Sequence, residues 1–211
     1  MEYTAIERFV VAELSKDHSG HNHQHAERVV SNAKQILRRE GGDEKIILTA
    51  AWLHDCIDKK LYLDVAGQIS KVEQFLEAQG YRSDEVAEVM YIIQNISYNK
   101  GENRPLTSLN AMIVRDADRL DAIGAMGIIR TIEYGAAKGR LFYDNDNIKR
   151  EGGKVGWNHP TDTSLSHFYE KLLKLESLMH TPTAKEMAKE RTEFLHQFLA
   201  EFYKELGDET P

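Results

Sequence analysis

The 211-residue chain predicts an all-α domain. Three observations carry that expectation. Apolar residues recur at helical spacing, at Ile6, Phe9, Val10 and Leu14 and again at Ile69, Val72, Phe75 and Leu76. No two alternating runs flank an Asn-Gly turn, so no strand pairing is expected. Residues 109–129 are apolar and small on nearly all sides, which marks a buried helix. No internal repeat is visible, and this length suits a single domain over residues 1–211 with a substantial core.

The first helix is expected over residues 2–14. The second runs from Ala26 through Ile36 and Leu37 and stops at Gly41-Gly42, with Ser19 or Asn22 as its cap. After those glycines, Ile46 to Leu53 forms an apolar run that reads as a helix heading into a core. It ends on His54-Asp55. A short break at 61–64 precedes an amphipathic helix over 65–78. Ser83 is the expected N-cap of a helix over 84–96, and a polar loop spans 99–105. Residues 135–160 are Gly-rich and carry Lys138, Arg140, Lys149, Arg150 and Lys154. They read as a long irregular segment, either a lid or disordered, whose basic character suits an anionic substrate. Closing helices are expected over 163–179 and 183–206, the second opened by the capping-box pattern Thr183-Ala184-Lys185-Glu186. The acidic tail at 207–211 is expected to fray.

Composition narrows the partners. Hydrophobic residues are 41% and charged residues 29%, an ordinary globular balance. A net charge of -7 argues against nucleic acid or an anionic membrane as the main partner. No apolar stretch approaches the roughly 18 residues of a membrane helix. Residues 1–4 lack the regions of a signal peptide. One cysteine, Cys56, allows no internal disulfide, so a cytoplasmic setting is expected. Cys56 reads as a small buried filler rather than a nucleophile.

Chemistry concentrates in three places. Residues 17–25 hold four of the nine histidines. That tract can be a solvated loop, a loose metal-binding tract, or a loop feeding one ligand into a site. His18 and His23 suit the solvated reading. His25 opens a helix and shares a face with Val29 four residues on, so it can point inward. His21 is close enough to touch a substrate. His54-Asp55 is the second place. Burying that pair is costly without a matching charge or metal. Asp58 follows within one turn, then Lys59 and Lys60. The third is Arg115-Asp116-Ala117-Asp118-Arg119-Leu120-Asp121 inside the apolar helix. Arg115, Asp118 and Asp121 share a face, while Asp116 can pair with Arg119 on another. An ion-pair network accounts for Asp116, yet three aspartates face only two arginines. A metal would absorb the surplus.

Together, His25, His54, Asp55 and Asp118 supply two imidazoles and two carboxylates. Such a set suits one divalent ion of Mn, Fe, Co, Ni or Zn, and Mg less well. In this ordered set, His25-Ala26-Glu27-Arg28-Val29, Leu53-His54-Asp55-Cys56-Ile57-Asp58 and Asp116-Ala117-Asp118-Arg119-Leu120-Asp121, the chain resembles the HD-domain metal-dependent phosphohydrolases. The resemblance runs over about residues 19–139. It is nearest to small stand-alone bacterial HD proteins, some of them similar to nucleotide pyrophosphohydrolases. It implies a helical HD-domain fold, with metal bound by His25, His54, Asp55 and Asp118. It implies Asp58 as the group that orients a metal-activated water against a nucleotide, expected to be a (deoxy)nucleoside triphosphate. Lys59, Lys60, Arg119 and His21 are the candidate substrate contacts. The alternative is an HD-fold module that holds metal and nucleotide without turnover.

Overall fold

Eight consecutive residues, Ile46 to Leu53, are buried together. A helix that is apolar all round must be enclosed by others. Accordingly α3 (Glu44–Leu53) packs against α1 (Thr4–Leu14), α2 (His23–Glu40) and α5 (Ser83–Asn95), while α4 (Val65–Ala78) packs on α5. The computed structural model describes residues 3–15, 22–59, 61–96, 105–144, 148–151, 154–157 and 163–207. Burying each large aliphatic side chain of α3 contributes about 1.5–3 kcal/mol.

The chain folds as two compact units. The first comprises residues 1–118 together with 180–184. Its helices begin where short polar residues can bind backbone N–H groups. The Asn22 side chain accepts from the His25 N–H, and the Asp43 side chain from the Ile46 N–H. Phe9 of α1 stacks on Phe75 of α4 with ring centroids 4.2 Å apart. Lys45 of α3 ion-pairs with Glu85 of α5 at 2.6 Å. The expected cap Ser83 is instead the first helical residue of α5. Its neighbour Arg82 is the cap, with its N–H donated to Glu85 Oε2 at 2.8 Å.

The second unit comprises residues 119–179 and 185–211. The division falls inside α6 (Leu109–Asp121). The single helix expected over 109–129 is broken. Residues 122 and 123 interrupt it, and α7 (Gly124–Ala137) follows. Gly124 sits at φ +72°, and a Cβ on Gly127 would lie 2.3 Å from the Ala122 carbonyl oxygen. These small residues permit a sharp turn of the chain and also a close approach, since a Cβ on Gly124 would meet the Arg191 side chain at 3.1 Å. A closer approach occurs at Gly135, where a Cβ would meet Ser164 Oγ of α8 (Ser164–Glu170) at 1.9 Å.

Within the expected irregular segment lies an antiparallel pair, β1 (Ile148–Glu151) with β2 (Lys154–Trp157), Glu151 opposite Lys154. The sequence between them, Gly152-Gly153, is a two-residue hairpin signal of the Gly-Gly kind rather than Asn-Gly. The expected helix over 163–179 is α8 followed by single 3-10 turns at Leu172–Lys174 and Glu176–Leu178. The last helix, α9 (Pro182–Glu205), starts one residue before Thr183. Pro182 suits a first helical position, and the Thr181 hydroxyl accepts from the Ala184 N–H. Phe168, Phe198 and Phe202 stack in series at 5.8 and 6.4 Å. Among the described residues no helix is long and apolar enough to cross a membrane.

Candidate metal centre

His25 reaches the site because its helix is capped just before it. The Asn22 side chain and carbonyl both accept from the His25 N–H, which fixes the first turn of α2. His54 is the C-cap of α3. Its Nδ1 lies 2.8 Å from the Ala51 carbonyl oxygen, so Nδ1–H donates there and Nε2 points the other way. The Cys56 N–H closes the following turn on the Leu53 carbonyl at 2.9 Å, and Asp55 rides on that turn. Cys56 is the buried filler expected, and burial, then Asp55, push its thiol up.

The four residues converge within the first unit. His25 Nε2 lies 3.0 Å from His54 Nε2. It also lies 3.5 Å from Asp55 Oδ2 and 3.4 Å from Asp118 Oδ1. His54 Nε2 is 3.3 Å from Asp55 Oδ2 and 3.8 Å from Asp118 Oδ1. The ligating atoms of His25, His54 and Asp55 all lie within 4.8 Å of one another, so the group can hold a metal ion. Two donors bound at about 2.1 Å and at right angles sit about 3.0 Å apart, close to the imidazole spacing. The chemistry of the donors fits as well. Burial pulls His54 down, yet Asp55, then Asp118 and the Ala51 carbonyl, outweigh it and push it up to about 9. Burial pushes Asp118 up, yet the His25 hydrogen bond and the His54 imidazole hold it well below the usual carboxylate range.

Asp116 and Asp118 are separated by the helix geometry. Residues two apart point to nearly opposite sides. Asp116 is fully buried and faces residues 180 and 181. Its Oδ1 and Oδ2 each accept from the His180 N–H at 3.0 Å. Oδ1 accepts from His180 Nδ1 at 2.9 Å, and Oδ2 from the Thr181 N–H at 2.8 Å and its hydroxyl at 2.9 Å. The sequence pairs Asp116 with Arg119, but these donors come from 64 and 65 residues away, where spacing rules do not reach. Arg115 donates to the Asn95 carbonyl at 2.6 Å, and Arg130 pairs with Asp121 at 2.6 Å.

Asp58 is half-buried in the turn after Asp55. Its N–H donates to the Asp55 carbonyl at 3.1 Å, and its carbonyl accepts from the N–H groups of Leu61 and Tyr62. Lys59 is exposed. Arg119, a candidate phosphate contact, is buried with its guanidinium donated to the Leu178 carbonyl. Lys60 and His21 lie outside the described residues. Sequence reasoning missed the Ala51 carbonyl and the His180-Thr181 pair. The first could have been found from the i, i+3 spacing to His54.

The chain belongs to the HD-domain family, whose model matches residues 22–123. It is similar to YpgQ of Bacillus subtilis (strain 168), an uncharacterized protein 35% identical over 204 residues, or 95% of this chain and 92% of YpgQ. Among solved structures, YpgQ in complex with ADP superposes with a TM-score of 0.79 at 33% identity, covering 97% of each chain. An HD-superfamily hydrolase from Bacillus thuringiensis matches with a TM-score of 0.78 at 40% identity, over 98% of this chain and 97% of that one.

Proposed function

We propose that the protein is a metal-dependent phosphohydrolase acting on a nucleotide, with a (deoxy)nucleoside triphosphate as the favoured substrate. The observation that carries this reading is the convergence of His25, His54, Asp55 and Asp118. A buried cluster with that surplus of carboxylate calls for a divalent cation, and Mn, Fe, Co, Ni or Zn suits its mixed nitrogen and oxygen donors. The similarity to YpgQ, solved with ADP, supports a nucleotide. The similarity to an HD-superfamily hydrolase supports hydrolysis.

His25 and His54 offer neutral Nε2 lone pairs, and Asp55 and Asp118 offer carboxylate oxygens. The Ala51 carbonyl holds His54 in the tautomer this requires. When bound, the ion supplies Lewis acidity to a phosphoryl oxygen and lowers the pKa of water. Asp58 would orient the attacking water and accept its proton on a carboxylate oxygen, while the leaving group departs with the electrons of the broken P–O bond. Lys59 and Lys60 follow Asp58 directly and supply charge for the remaining phosphates.

A panel of nucleotides incubated with purified protein and Mn or Co tests the reading, with phosphate and pyrophosphate measured separately. The expected result is metal-dependent release of one of them, abolished by EDTA. Binding of metal and nucleotide with no release would favour a binding module instead.

A further inference from the structure

Residues 180–184 belong to the first unit, although the chain on either side of them belongs to the second. Their anchors are polar. His180 and Thr181 hold the Asp116 carboxylate of α6. Two residues on, the Thr183 N–H and hydroxyl donate to Glu40 Oε1 at 2.7 and 2.5 Å. Glu40 is the last residue of α2. A third bond joins the two helices directly. Asn32 Nδ2 of α2 donates to the Ala117 carbonyl of α6 at 3.0 Å.

These bonds close a ring. It runs from Asn32 to Ala117 and Asp116, across to His180 and Thr181, and through Thr183 back to α2 at Glu40. The two helices it joins each bring an atom to the metal cluster. α2 brings His25 and α6 brings Asp118, with His25 Nε2 and Asp118 Oδ1 3.4 Å apart. A helix held by one hydrogen bond can still turn about its axis. Gripped at consecutive residues by two different partners, Asn32 on the Ala117 carbonyl and residues 180–181 on Asp116, it is held against that turn. Since residues 116 and 118 point to nearly opposite sides, the grip on Asp116 sets where Asp118 points.

We propose that Glu40, Asp116, His180, Thr181 and Thr183 are positioning residues for the metal centre, setting α6 against α2 so that Asp118 meets His25. The proposal rests on the cluster binding a metal. The tolerance is narrow, because metal-ligand distances are held to about 0.2 Å. Groups beyond the ligands that hold them in place typically change metal affinity by about 10- to 100-fold. A staple that only stabilised the fold would have no reason to land on the two residues before a ligand.

The test is Mn(II) affinity by calorimetry on the full chain, with Tm in EDTA measured alongside. Asp116→Asn places an amide N–H₂ against donors and breaks half of its contacts. Glu40→Ala removes the acceptor for Thr183, whereas Glu40→Gln keeps an oxygen there. Asp116→Asn and Glu40→Ala are expected to weaken Mn(II) binding about tenfold or more. Glu40→Gln is expected to bind as wild type does. Should Asp116→Asn fail to fold, the two Glu40 variants decide. Wild-type affinity in Glu40→Ala, with only Tm reduced, overturns this proposal alone. A wild type that binds no Mn(II) overturns it together with the metal reading beneath it.

Discussion

At His54 the two ring nitrogens do different work. Nδ1–H is fixed on the Ala51 carbonyl, and Nε2 meets His25, Asp55 and Asp118. In the unfolded chain the ring titrates near 6.5, and in the folded metal-free protein near 9. Its proton therefore stabilises the folded state below about 6.5, and that stabilisation is lost as pH rises through about 9. Melts in EDTA should show wild type losing Tm relative to His54→Gln across that window, and parallel curves would contradict it. Mn affinity should rise with pH over the same range, because the metal must displace the proton. Asp118→Ala is expected to lose bound metal while keeping its helical circular dichroism. Asp116 is the rival for that ligand position, helix face prefers Asp118, and metal retained in Asp118→Ala but lost in Asp116→Ala would reverse the choice. Asp58 separates chemistry from binding. Asp58→Asn keeps shape without basicity, so kcat should fall by about 10²- to 10⁴-fold with metal content unchanged. A variant with wild-type kcat and reduced Tm would make Asp58 structural.

At the scale of elements, what holds each helix end decides how precisely the site is built. Asn22 caps the turn that carries His25, so Asn22→Ala should cost about 1 kcal/mol and loosen Mn binding together with Tm. Gly127→Ala puts a methyl against the Ala122 carbonyl at 2.3 Å. Overpacking of that kind costs about 1–3 kcal/mol, readable as a drop in Tm. An unchanged Tm would mean α7 can start elsewhere. Local signals were legible where they acted alone. The apolar run of α3 and the spacing of α4 predicted those helices, α4 to its observed ends. They failed where a second constraint competed. The composition at 122–127 fits both a close contact and a chain reversal, and Gly124 serves both, with a positive φ and with Arg191 packed where its Cβ would lie. Thr183 has the composition of a capping residue, but its N–H and hydroxyl are held by Glu40, and Thr181 stands at the cap.

For the whole molecule, the four proposed ligands come from three separated stretches, residues 25, 54–55 and 118, so the cluster exists only when the first unit is folded. Their order and spacing made the HD-domain family readable, because the pattern is set by which helices meet. The contact of residues 180–184 with α6 and α2 was not readable, since no local spacing rule links residues so far apart. The proposed function joins metal binding and nucleotide hydrolysis in one cluster. Its most direct test measures metal content and nucleotide turnover on the same preparations of wild type and His54→Ala. Wild type is expected to carry a divalent ion and to release phosphate or pyrophosphate, and the folded variant to do neither. Turnover in the variant at the wild-type rate, with its metal site empty, would contradict it.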